Sequence, residues 1–162
     1  MFEHIVRKRA IIPPKLKHGD MVRVVAPADS MNSMTKNDIE LVEERLKSVG
    51  IKVSYGRHIR EKNDFNSASI KSRIEDLHDA FGDREVRGIL AADGGFNSNQ
   101  LLRYIDWDLI RINPKVLCGY SDLTALGNAV FAKTGLVNYS GPLFTSMCQR
   151  KHFEYTWDYW QK

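Results

Sequence analysis

The stretch KVLCGYSDLTALGNAVFAKTG, residues 115–135, decides the fold. Residues 115–120 form a short apolar run that is typical of a buried strand. A helical pattern follows at once over residues 122–134, and Gly135 is expected to end it. The side chains predicted to face inward are Leu123, Leu126, Val130 and Phe131. A strand that runs directly into a helix of this length predicts one βα unit of a parallel sheet.

The same alternation extends on both sides of that unit. The predicted strands cover residues 21–26, 51–55, 88–92 and 136–139, and the predicted helices cover residues 36–49, 67–81, 99–105, 107–112 and 153–161. Thr35 is the expected N-cap of the first helix, and Gly50 and Gly82 are expected to end the first two. Repeated strand–helix pairs predict an α/β fold: a doubly wound, mainly parallel sheet with helices on both faces, as in Rossmann-like and flavodoxin-like domains.

Composition narrows the class of protein. The chain has 162 residues, 43% of them hydrophobic and 27% charged, which suits one globular domain. The net charge of +4 is spread along the chain, whereas nucleic-acid binders concentrate basic residues on one face, so no nucleic-acid partner is expected. Two cysteines argue against a disulfide framework and a four-thiolate zinc site. No apolar run approaches the roughly 20 residues of a membrane span.

Residues 1–14 carry basic side chains with no apolar stretch behind them, so no secretory signal is predicted and the cytoplasm is the expected location. These residues are predicted to form an irregular arm, residues 15–150 the α/β domain, and residues 151–162 the start of a linker helix. The aromatic residues of that helix are expected to need a partner surface, which predicts a C-terminal domain that this chain lacks.

Three loops follow predicted strands and carry unusual residues: 26–30, 93–97 and 119–122. Ligands of open parallel sheets bind beyond the carboxyl ends of the strands. If the first and third strands are neighbours and the fourth lies beside the third, these three loops converge on one site.

Ser121 lies where the fourth strand meets its helix, as the serine of a nucleophile elbow does. The G-x-S-x-G pattern requires a second glycine where this chain has Leu123, so local pattern alone favours a helix N-cap at Ser121. Gly94 and Gly95 by themselves favour a tight turn over an oxyanion or phosphate contact. Neither G-x-x-x-x-G-K-[ST] nor G-x-G-x-x-G occurs, which argues against a nucleotide-binding domain.

A serine nucleophile requires a base, and the histidines are His4, His18, His58, His78 and His152. Only His58 lies at the carboxyl end of a predicted strand. No base is assigned from the sequence, because structural or exposed roles fit these side chains better.

Several blocks of sequence, in this order and spacing, resemble the LD-carboxypeptidase family, which includes the microcin C immunity proteins. They are LKHGD (residues 16–20), VVAP (24–27), DGGFNSNQLL (93–102), ID (105–106), NPK (113–115), GYSDLTAL (119–126), GLV (135–137) and GP (141–142). The resemblance covers about residues 14–162 and is most specific at GYSDLTAL. It is closest to the microcin immunity subgroup, because Asp93 precedes the glycine pair and Phe96-Asn97-Ser98-Asn99 follows it, whereas many murein-directed members have Arg before it and Tyr-Gly after it.

The resemblance implies that Ser121 is the nucleophile of a serine carboxypeptidase. It places the oxyanion hole at the N–H of Asp122 and an N–H of the glycine loop, with Gly95 as first choice and Gly94 as second. It implies no metal or organic cofactor, and a homodimer for the full-length protein. The implied substrates are a murein tetrapeptide, cleaved at an L,D bond, or the amide of a microcin-C-like peptidyl or aminoacyl adenylate.

In this family a Glu and a His from a C-terminal domain complete the triad, and no residue here matches them. These 162 residues alone are therefore expected to be inactive or nearly so. The alternatives are a non-catalytic α/β module that binds a small ligand and a degenerate relative of the family.

Overall fold

The computed structural model describes residues 9–162 as a five-stranded sheet with helices on both faces. The strands are β1 (Met21–Val25), β2 (Lys52–Tyr55), β3 (Val86–Ala91), β4 (Val116–Gly119) and β5 (Tyr139–Ser140). The helices are α1 (Lys36–Ser48), α2 (Ile70–Gly82), α3 (Trp107–Ile112), α4 (Leu123–Thr134) and α5 (Glu154–Trp160). Three 3₁₀ turns add Met31–Ser33, Ser98–Leu101 and Thr145–Cys148.

The strand order is β2-β1-β3-β4-β5, and all four neighbouring pairs are parallel. This is the flavodoxin-like order, in which the chain reverses direction between β1 and β3. In register, Val25 lies opposite Ala91, and Leu90 lies opposite Cys118. The predicted fold class is confirmed.

Two apolar layers cover the two faces of the sheet. On one face α2, α3 and α4 contribute Leu77, Phe81, Ile110, Leu126 and Val130, all fully buried. The opposite layer comes from α1, the 3₁₀ turn Thr145–Cys148 and the aromatic residues of α5. Its members include Val42, Leu46, Met147, Phe153, Trp157 and Trp160. The helices thus cover both faces of the sheet, α2, α3 and α4 on one and α1 and α5 on the other, as a doubly wound sheet requires.

Local signals account for the ends of several helices. Thr35 and Asp38 form a capping box at the start of α1, with Thr35 Oγ1 accepting from the Asp38 N–H and the Asp38 carboxylate accepting from the Thr35 N–H. Gly135 ends α4 in the left-handed conformation, as predicted from the sequence. α2 begins later than predicted, because Ser69 caps it by accepting from the Ser72 N–H.

Three predictions from the sequence are wrong in detail. β5 is Tyr139–Ser140 rather than residues 136–139, because Leu136 pairs with Ile11 of the N-terminal arm in an isolated parallel bridge. The helix predicted over 99–105 is only the 3₁₀ turn Ser98–Leu101. Phe131, predicted to face inward, is 49% exposed, since it lies on the outer side of α4.

In residues 9–162 no helix combines the length and apolar character needed to cross a membrane. Of the predicted arm, residues 1–8 lie outside the described residues, while Ile11 is held at the sheet edge by its bridge to Leu136. The predicted division at residues 14 and 150 stays a prediction.

Candidate active site

The three strand-end loops meet above the carboxyl ends of β1, β3 and β4, as their adjacency predicts. The first and second loops are joined by a hydrogen bond from the Asp29 N–H to the Gly94 carbonyl, 2.9 Å long. The second and third loops also touch, because a Cβ placed on Gly94 would lie 3.2 Å from Ser121 Oγ. Gly94 therefore packs directly against the serine.

Ser121 forms a strained turn between β4 and α4. Its φ of +60° lies in the left-handed region, which non-glycine residues rarely adopt. Within residues 9–162 its exposed hydroxyl makes no hydrogen bond, so Oγ is presented to solvent. The cap predicted from local pattern is wrong: Asp122 is the N-cap residue of α4, and no side chain caps that helix. This geometry matches the elbow that presents a nucleophile.

Leu123 occupies the position where G-x-S-x-G has its second glycine, and Gly119 makes room for it. A Cβ on Gly119 would lie 2.4 Å from Leu123 Cδ2 and 3.0 Å from the Cβ of Ala91. Leu123 itself is buried in the core beneath α4. The turn therefore needs a glycine only at position 119, and the space that Gly119 leaves explains how Leu123 can replace the second glycine of G-x-S-x-G.

The glycine loop presents a free amide close to this turn. Gly95 has φ +144°, and a Cβ there would lie 2.8 Å from Asp29 Oδ1 and 2.9 Å from the Cβ of Ala28, so a larger residue does not fit. The Gly94 N–H already donates to the Asp93 carboxylate at 2.8 Å. In the part of the chain that the structure describes, the N–H groups of Gly95 and Asp122 have no protein acceptor.

Asp93, the residue that precedes the glycine pair, is held in place. Its Oδ1 accepts from the hydroxyl of Thr145 at 3.0 Å as well as from the Gly94 N–H. Asp29 is hydrogen-bonded through one oxygen: Oδ2 accepts from the side-chain amide of Asn66 at 3.2 Å, while buried Oδ1 has no partner within the part of the chain that the structure describes. Carboxylates thus line the side of the loop that faces β1.

Arg73 of α2 is a functional candidate that the sequence analysis missed. Its side chain is buried, with 4% exposure, and it donates to Pro27 O, Asn97 O, Asn97 Oδ1 and Gln100 Oε1 over 2.8–3.2 Å. Burial lowers the pKa of Arg73, and the charge of Asp122 opposes that shift. A signal was present in the sequence, because position 73 falls on the inward-facing stripe of Ile70, Ile74 and Leu77.

The histidines among residues 9–162 do not supply a base to Ser121. His58 Nδ1 lies 2.9 Å from Asp76 Oδ1, and the backbone N–H of His58 donates to Asp76 Oδ2. His78 Nε2 accepts the N–H of Asp106, and burial lowers the pKa of His78. His4 lies outside the described residues. Within those residues, no histidine bonds Ser121, and no cluster of His, Cys, Asp and Glu could hold a metal ion.

Comparison with known proteins agrees with this geometry. Residues 22–141 match the sequence model of the LD-carboxypeptidase N-terminal domain. The chain belongs to the LD-carboxypeptidase family. As a member of that family it is 50% identical over 145 residues to "Putative carboxypeptidase YocD" of Bacillus subtilis, covering 90% of this chain and 45% of the relative. It is 37% identical over 134 residues to "Probable murein peptide carboxypeptidase" of the same organism, covering 83% and 41%.

Solved structures of the family share the fold. An MccF-like protein from Bacillus anthracis superposes with a TM-score of 0.92 at 50% identity, covering 94% of this chain and 46% of that one. MccF in complex with glutamyl sulfamoyl guanosine superposes with a TM-score of 0.86 at 29% identity, covering 93% and 45%. The chain spans less than half the length of these relatives.

Proposed function

We propose that this chain is the nucleophile-carrying half of a serine carboxypeptidase, with Ser121 as the nucleophile. The observation that carries the proposal is the turn at Ser121: a non-glycine residue at φ +60°, packed against Gly94, whose hydroxyl makes no hydrogen bond within residues 9–162. Strained backbone of this kind is concentrated at active sites, and here it coincides with a serine at the junction of a strand and a helix. Membership of the family and names such as murein peptide carboxypeptidase support this assignment.

In this mechanism Ser121 Oγ attacks the carbonyl carbon of the scissile amide as a base removes its proton. The carbonyl oxygen becomes an oxyanion, held by the N–H groups of Asp122 and Gly95. The amino end of α4 adds its positive dipole. The C–N bond then breaks, the leaving nitrogen takes a proton, and an acyl-enzyme on Ser121 remains. Water hydrolyses that ester and restores the serine.

No residue in the described part of the chain hydrogen-bonds Ser121 Oγ as a base would, so we place the base outside it. We assign it to the second half of the full-length protein, consistent with relatives about twice as long as this chain. Without a base, only the oxyanion hole contributes, and residual catalysis is weak. The 162 residues alone are accordingly expected to turn over substrate at a small fraction of the full-length rate.

Two substrate classes offer an amide-type bond that this mechanism could cleave. One is a peptide whose scissile amide lies next to a free carboxylate, and the other is an acyl-nucleotide. Relatives are named for murein peptides, and MccF has been solved with glutamyl sulfamoyl guanosine. We favour an aminoacyl or peptidyl nucleotide of the microcin C type, because Asp93 replaces the arginine of many murein-directed members. We also expect the full-length protein to be a homodimer located in the cytoplasm.

The test is covalent labelling of the intact protein from its source with a fluorophosphonate, followed by peptide mass spectrometry, with Ser121→Ala as the control. Modification of Ser121 in the wild type, together with hydrolysis of a glutamyl sulfamoyl nucleoside or a murein tetrapeptide, supports the proposal, and the preferred substrate settles the class. Folded, intact protein that resists labelling and hydrolyses neither compound would instead indicate a non-catalytic binding module. Stabilisation by ATP or NAD alone would indicate a nucleotide-binding domain.

A further inference from the structure

We infer that Arg73 is the positioning residue that sets the distance between the two amides of the oxyanion hole. The inference rests on the proposed function, since it assigns a task in the same site. Arg73 does not touch the place where substrate would react. It acts through the loops that carry the Gly95 and Asp122 amides.

The guanidinium joins the first two loops of the site. Nη1 donates to the Pro27 carbonyl at 3.0 Å and to Asn97 O and Oδ1 at 3.2 and 3.0 Å. Nη2 donates to Gln100 Oε1 at 2.8 Å. Asn97 is fixed from its other side as well, because its Nδ2 donates to Ser67 Oγ at 2.7 Å. The segment that follows Gly95 is therefore fastened to the end of β1.

A second set of bonds connects that segment to the elbow. The N–H of Ser98 donates to Asp122 Oδ2 at 2.8 Å, and Ser98 Oγ donates to Asp122 O at 2.8 Å. Asn97 and Ser98 are adjacent, so Arg73 is linked through them to the residue that supplies one oxyanion-hole amide. The other amide, at Gly95, is two residues upstream in the same segment. One buried cation thereby constrains both donors.

Arginine suits this position because its planar fork donates to several acceptors at fixed angles. A buried cation is costly unless it is fully bonded, and among the described residues Arg73 Nε has no hydrogen-bond partner. An apolar residue would fill the same stripe of α2 without that cost. The presence of a charged residue at position 73 is explained if the guanidinium holds the two loops together and faces the carboxylate of Asp122.

The test compares Arg73→Met, Arg73→Lys and Ser98→Ala in the intact protein. The readout is the rate of fluorophosphonate labelling at Ser121 per folded molecule, well below the melting temperature. Arg73→Met is expected to slow labelling at least tenfold, which is the scale for a misplaced oxyanion donor. Arg73→Lys is expected to recover part of the rate, because it keeps the charge and loses the fork. Ser98→Ala is expected to slow labelling several-fold, and it tests the same linkage if Arg73→Met does not fold.

Lys115→Met is the matched control. Lys115 is a second buried cation, 7% exposed, that donates to the carbonyls of Ala80 and Asp83 near the end of α2, far from the elbow along β4. It is expected to lose stability and to label within twofold of wild type per folded molecule.

The outcomes separate the two proposals. If the wild-type protein itself is not labelled, the proposed function fails. If the wild type is labelled and the Arg73 and Ser98 variants label at its rate, or slow no more than Lys115→Met, then Arg73 serves stability alone and the inference is overturned.

Discussion

Gly119→Ala tests whether the elbow depends on space beside β4. The added methyl would lie 2.4 Å from Leu123 Cδ2, 3.0 Å from the Cβ of Ala91 and 3.2 Å from Leu143 Cδ2. Because these neighbours are buried in a packed core and Gly119 has a φ of +158°, we expect overpacking and backbone strain together to lower the free energy of unfolding by about 1–3 kcal/mol. Equilibrium urea unfolding followed by tryptophan fluorescence measures this directly. Gly82→Ala is the control, since the nearest atom, in Leu109, is 3.9 Å away from the new Cβ.

A double-mutant cycle with Leu123→Ala identifies the cause. Leu123 is 4% exposed, so its truncation alone should cost about 2–5 kcal/mol. In Gly119→Ala/Leu123→Ala the contact with the Leu123 side chain, the shortest of the three, is gone, and the new methyl fills part of the cavity. The double variant should therefore be more stable than the sum of the single effects by about 1 kcal/mol or more. Additivity within about 0.5 kcal/mol would refute the steric explanation.

Three further predictions concern other parts of the fold. Thr35→Ala should cost about 1 kcal/mol in urea unfolding by removing the α1 cap, whereas Thr35→Ser should retain most of the stability; equal losses would contradict the capping box. Burial lowers the pKa of Lys115 from 10.5 to about 8. As the pH rises above 8, Lys115 loses its proton in the folded chain but keeps it in the unfolded chain, so the free energy of unfolding rises with pH. The stability difference between wild type and Lys115→Met should therefore grow from pH 7.5 to about pH 9.5, and a constant difference would count against it. Burial raises the pKa of the Cys118 thiol to about 12, so iodoacetamide at pH 8 should modify Cys118 only after unfolding, as peptide mass spectrometry can check.

The sequence predicts most of the fold because the signals for its elements are local. The cap at Thr35 and the stop at Gly135 depend on residues within one helical turn, and both are confirmed. β5 differs because its start is set by Ile11, more than 100 positions away from Leu136. The turn at residues 98–101 differs for a similar reason, since Ser98 is bonded to Asp122 rather than to a following helical turn.

Some features of the candidate site could likewise be predicted from the sequence, and others could not. The convergence of the loops follows from strand order, and it places Ser121 beside Gly94. The roles of Ser121, Asp122 and Gly95 stay predictions, because they came from family resemblance and require chemistry to test. Arg73 was overlooked because an arginine ordinarily faces solvent, although its position on the apolar stripe of α2 indicated burial.

The strand order also governs how the sheet can assemble as the chain leaves the ribosome. After β2 has paired with β1, β3 joins the other side of β1, and β4 and then β5 each pair with the strand made just before them. Parallel pairs have no hairpin to start them, so each addition waits for a whole crossover to emerge. We therefore expect the sheet to grow in one direction during synthesis. The serine turn forms only once β3 offers an edge to β4, so a translation pause before residue 116 would leave that edge exposed to mispairing.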